Sequence, residues 1–145
     1  MTAERGFKYH DHTADITVEC WAPTLEEAFE EAALGALEVI LDTFTVQPIN
    51  SHDISVNGID LEELLVEWIG HLIALIDINS QFYSKFEVHE ISKNAKGFVL
   101  KGRVWGEDID LESHDTRTEV KAMTYADMSI EQDVERVTLR FTLDL

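Results

Sequence analysis

A chain of 145 residues that is 45% hydrophobic and 28% charged is sized for one domain with a full core, and its 29 Asp and Glu against 11 Lys and Arg leave a net charge of −18. That excess excludes unaided binding to the phosphate backbone of a nucleic acid, which is driven by Lys and Arg displacing counterions, and suits a basic protein partner, divalent cations, or solubility alone. One cysteine, Cys20, excludes an internal disulfide framework and a Cys-rich zinc site and agrees with a reducing cytosol, and no stretch is apolar enough to span a bilayer or to act as a signal peptide.

Residues 1–6 read as a loose end, and Phe7 to Tyr9 as the start of a short strand. His10-Asp11-His12-Thr13-Ala14-Asp15 then places four groups able to bind a metal or move a proton within six residues. The alternative is that Asp11 and Asp15 cap turns and the histidines line a solvated edge. Ile16, Val18 and Cys20 alternate with Thr17, Glu19 and Trp21, the period of a strand. The same alternation puts Asp15 on the face opposite Ile16 and Val18.

Thr24 and Glu27 form a capping-box pattern and open a helix. Leu25, Ala28, Phe29, Ala32, Ala36, Leu37 and Ile40 give it one apolar stripe, and it ends near Leu41 or Asp42. Glu26, Glu27, Glu30 and Glu31 crowd its first turns and read as a solvated face favoured by the helix dipole. A connector from Thr43 to Asn50 precedes a short strand over Asp53–Val56 and an Asn57-Gly58 turn. Asp60, with Glu63 reciprocal to it, caps a second and more hydrophobic helix with Leu61, Leu64, Leu65, Trp68, Ile69, Leu72, Ile73 and Ile76 on its broad apolar face. His71 lies one turn beyond Glu67, within pairing reach, and reads as structural.

The remainder reads as strands: Ser84–Ile91, an Asn94–Gly97 hairpin turn, Phe98–Trp105, Thr118–Tyr125, a short continuation at Met128 and Ile130, a turn at Glu131–Asp133, and Val134–Leu145. Gly106–Thr116, with His114, is acidic and irregular. Val137, Leu139, Phe141 and Leu143 face inward on the last strand. The fold class is therefore α+β, two amphipathic helices packed on a mostly antiparallel β-sheet in a single domain over residues 1–145. The Asp144 side chain and the Leu145 α-carboxylate stand side by side and repel unless a cation lies between them. A hard divalent ion answers this; so does Arg140 on the same face, or Lys121. If the last strand pairs beside the first, Asp15 joins them in an all-oxygen set.

Taken together, Asp11-His12-Thr13-Ala14-Asp15-Ile16, Thr24-Leu25-Glu26-Glu27-Ala28-Phe29, Leu64-Leu65-Val66-Glu67-Trp68, Trp105-Gly106-Glu107, Glu119-Val120-Lys121-Ala122-Met123-Thr124-Tyr125 and the closing Asp144-Leu145 resemble the archease family, in order and over nearly the whole chain. The resemblance implies a cytoplasmic protein cofactor of an RtcB-type RNA ligase in tRNA splicing and RNA repair, one that promotes ligase guanylylation and multiple turnover and is not itself an enzyme. It implies a divalent metal ion, commonly calcium, bound through Asp15, Asp144 and Leu145, with Asp11, His12 and Lys121 shaping the site. The ligase, which handles GTP, metal and RNA, then offers a basic surface to an acidic partner. Three positions depart from the family pattern: Ala126 replaces a His common in relatives, Leu145 replaces Ile, and His10 replaces an apolar residue. The rival function is a metal-dependent hydrolase built on His10, Asp11, His12 and Asp15; a plain acidic binding module is the third.

Overall fold

A computed structural model describes residues 4–11 and 14–145. In chain order these form β1 (Gly6–Asp11), β2 (Asp15–Ala22), α1 (Leu25–Ile40), a single 3-10 turn (Thr43–Thr45), β3 (Asn50–Gly58), α2 (Leu61–Asn79), β4 (Gln81–Asn94), β5 (Gly97–Asp108), β6 (Ala122–Gln132) and β7 (Val137–Asp144). The α+β reading holds, with one refinement. The strands form two antiparallel sheets, a four-stranded one in the order β1-β2-β7-β6 and a three-stranded one in the order β3-β5-β4.

Both helices start where their caps direct. The Thr24 hydroxyl accepts from the Glu27 N–H, and the Asp60 carboxylate accepts from the Glu63 N–H at 2.8 Å. Helix α1 buries Ala28, Phe29, Ala32, Ala36 and Leu37, and α2 buries Leu64, Leu65, Trp68, Ile69 and Leu72. The inward rows of β2 and β7 (Val18, Cys20, Leu139, Phe141, Leu143) complete the core between sheets and helices. The Trp68 Nε1–H donates to the Phe29 carbonyl at 2.9 Å and ties the helices together at their most buried point.

Several expectations are corrected. The acidic first turns of α1 are not simply solvated: Arg5 forms ion pairs with Glu27, Glu30 and Glu31 at 2.9–3.0 Å. Asn57-Gly58 is the end of β3 rather than a turn. A Cβ at Gly58 would lie 2.4 Å from the Leu64 backbone nitrogen, so glycine there lets α2 start against the strand. The 118–121 stretch alternates as a strand does, but it lies outside both sheets until its last residue, where the Lys121 N–H donates to the Asp144 carbonyl just before β6 begins. Strand β6 starts at Ala122 and continues through Met128 and Ile130 as one strand, with a register shift between Thr124 and Ser129 where Asp127 takes φ 53°. The turn before β7 is displaced to Asp133–Arg136, where the Asp133 N–H donates to the Arg136 carbonyl. No ion pair joins Glu67 to His71 among the described residues.

His114, in the irregular loop, is 4% exposed. Its Nδ1 accepts from the Asp110 N–H at 3.0 Å, so Nε2 carries the proton and donates to the Glu107 carboxylate at 2.9 Å. The Gln47 N–H also donates to Glu107, and this bond first, then His114, holds the Glu107 carboxyl below the usual range. A lowered folded-state pKa contributes stability that is complete above the ordinary Glu value of about 4.3 and is lost as pH falls through the lower folded value. Glu107→Gln is therefore expected to have a lower urea midpoint at pH 7. The gap to the parent protein should close progressively below about pH 4. A gap that widens in acid would contradict the assignment.

Candidate metal centre

The site is built by the pairing of β2 with β7, which sets Asp15 directly opposite Asp144. The Leu145 N–H donates to the Ala14 carbonyl at 3.1 Å, one pair further along the ladder. Hydrogen-bonded and open pairs alternate in an antiparallel ladder, so Asp15 and Asp144 occupy an open pair, where facing Cα atoms stand about 4.5 Å apart and side chains share one face. On the other flank the Lys121 N–H donates to the Asp144 carbonyl at 2.8 Å. Asp15 Oδ1 is buried and has no hydrogen-bond partner. A carboxylate oxygen left bare beside a second carboxylate is a costly arrangement unless a cation completes it. Oxygen donors of this kind suit a hard divalent ion.

The other residues singled out divide. Lys121 enters through its backbone, while its side chain lines a neighbouring groove. Asp11 pairs with Ile16 in the β1–β2 register, so it stands on the face away from Asp15 and is exposed. His12 lies outside the described residues. His10 shares the face of Asp15, opposite Thr17, but its Nε2 lies 3.4 Å from both Glu19 and Arg140. Arg140 therefore does not bridge the terminal carboxylates: it binds Glu19 at 2.8 Å, and this bond is the main reason the Glu19 carboxyl sits below its usual range. The His10–Asp15 cluster proposed for hydrolysis is thus split between two faces. Among the described residues no three His, Cys, Asp or Glu side chains gather into one cation site. Cys20 offers no nucleophile, since burial pushes its thiol pKa up.

Sequence reasoning did not single out Thr17 and Thr142. They are 2% and 1% exposed and hydrogen-bond to each other at 2.9 Å, two pairs along the ladder from the Asp pair and on the same face. Alternation assigned both to the polar face, and only the cross-strand register shows that they seal the floor beside the carboxylates.

Residues 7–145 match the model of the archease protein family. The chain is 42% identical over 140 residues to a protein archease of Aeropyrum pernix, covering 97% of each. It is 40% identical over 139 residues to one of Sulfurisphaera tokodaii, covering 96% of this chain and 98% of the relative. The solution structure of Methanobacterium thermoautotrophicum protein 1598 superposes with a TM-score of 0.83 at 35% identity, over 97% of this chain and 99% of that one. An archease from Thermotoga maritima, described as a possible chaperone, shares the fold at a TM-score of 0.58 and 20% identity, over 95% and 96% of the two chains.

Proposed function

The chain belongs to the archease family, and from that premise we propose that it is a protein cofactor of an RtcB-type RNA ligase, acting in tRNA splicing and RNA repair. The observation that carries the reading is the Asp15–Asp144 pair with its bare, buried oxygen. Asp15, Asp144 and the Leu145 carboxylate would hold a divalent cation, calcium by family resemblance, which supplies positive charge at the edge of an otherwise acidic surface. The Lys121 and Leu145 backbone N–H groups fix the end of β7 so that the carboxylates keep their register.

The ligase provides the chemistry in this reading. An acidic protein changes a partner's behaviour only by binding one of its states better than another. A protein of net charge −18 is suited to a basic, nucleotide-binding surface, where electrostatic complementarity speeds encounter and fixes orientation. By favouring the guanylylated or product-released state, it returns the ligase to the start of its cycle. The direct test is transfer of labelled GMP from GTP onto the ligase, with and without this protein. A faster transfer supports the reading, and an unchanged rate and extent with an active cognate ligase contradicts it.

A further inference from the structure

Two open cavities run end to end along α2. One, of about 380 Å³, is walled by Ile40, Ile73, Ile76, Phe82 and Ile109, with the extended 116–120 stretch as its lip. The other, of about 540 Å³, lies between α2 and the start of β6, lined by Val66, Gly70, Ala74 and Met123. Ile73 and Asp77 line both, so the two form one groove. From Val66 to Asp77 it follows the helix for about 16 Å at 1.5 Å per residue. Its floor is mainly apolar, with Phe82 at one end and His71 among the lining of the other, and its rim carries Glu67, Asp77 and Glu119. Of the two cations there, Arg117 is engaged by Glu38 at 3.0 Å, and Lys121 stands at the end nearest the metal centre. Gly70 lines the groove, and a Cβ built there would meet nothing within 4 Å, so a larger side chain at this position projects into open space. One end of the groove reaches Ala122, the register partner of Asp144.

We propose that this groove seats a segment of the ligase in which aliphatic side chains are flanked by Lys or Arg, laid along α2 and ending beside the Asp15–Asp144 pair. The inference rests on the ligase-activator reading and adds the docking face to it. The chemistry of the groove selects the occupant: aliphatic side chains cover the floor, and basic ones meet the three rim carboxylates. A second copy of this chain is a poor fit, because its 29 acidic residues against 11 basic ones would meet like charge.

The test measures binding of the full-length protein to its cognate RtcB-type ligase by calorimetry at low and moderate salt, separately from turnover. Two variants are compared with the parent: Gly70→Trp, which fills the groove, and the exposed double change Glu67→Lys with Asp77→Lys, which reverses the rim. The thermal melt and calcium binding of each are recorded as fold controls. Each variant is expected to bind at least tenfold more weakly, and the rim variant to lose most of the salt dependence. Equal binding by both variants, while the parent binds and activates, overturns the docking face and leaves the activator reading standing. If the parent fails to bind the ligase at all, both fall. If the parent binds without activating and the variants weaken, the docking face stands and the activator reading falls. A concentration-dependent dimer that Gly70→Trp abolishes would assign the groove to a second copy and overturn the proposal.

Discussion

Trp68→Ala is expected to destabilise the protein by about 3–5 kcal/mol, the range for deleting a fully buried large aromatic. Trp68 is 0% exposed and lies where α2 meets α1, with its indole N–H on the Phe29 carbonyl. Truncation leaves a void in the buried core that Trp68 shares with Phe29, Leu64, Leu65 and Leu72. Domains of this size are stable by only about 5–15 kcal/mol, so the loss is a large share of the total. Trp68→Phe keeps most of the volume and loses the hydrogen bond, and should cost about 1–2 kcal/mol. Ile78→Ala, on the same helix but 73% exposed, should stay within about 0.5 kcal/mol of the parent. Urea midpoints at unchanged m-values separate the three. Equal effects for Trp68→Ala and Ile78→Ala would remove Trp68 from its place between the helices.

Asp15→Asn is expected to separate metal binding from folding. Without a divalent ion the parent carries two facing carboxylates, one with a bare buried oxygen, so the amide relieves repulsion and the variant should melt at the same temperature or slightly higher. With calcium at a hundred times its dissociation constant, the parent gains about 2.7 kcal/mol by linkage, whereas the variant gains little. Stimulation of the ligase should fall at least tenfold in the variant. A parent protein whose melt ignores every divalent cation, or a variant that stimulates fully, would take Asp15 out of the mechanism.

What could be read from the sequence was local. The caps at Thr24 and Asp60 lie three residues from their partners, and the inward row of β7 repeats every second residue, so short windows contain the whole signal. What could not be read depended on distant pairing. Two sheets instead of one follow from β2 finding β7 more than a hundred residues away, while β5 takes the centre of the other sheet. The alternation of residues 118–121 is real, but a strand also needs a neighbour along its length, and only Lys121 reaches one, at the Asp144 carbonyl. His114 read as part of an acidic, irregular stretch because its partners, the Glu107 carboxylate and the Asp110 N–H, are set by loop geometry rather than by spacing. At the candidate metal centre, both aspartates stood out in the sequence, and their meeting was conditional on strand order. The crowded His10–Asp15 stretch misled in the opposite direction: side chains close in sequence were sent to opposite faces by the β1–β2 register.

The measurement that bears most directly on the account is the number of RNA joining events per ligase molecule on a broken tRNA with GTP and a divalent ion, with and without this protein. The account predicts that the ligase stalls near one turnover alone and cycles repeatedly when the protein is added, and that Asp15→Asn and Asp144→Asn fail to restore cycling. A cognate ligase that cycles equally well in its absence, or equally well with the aspartate variants, would contradict it.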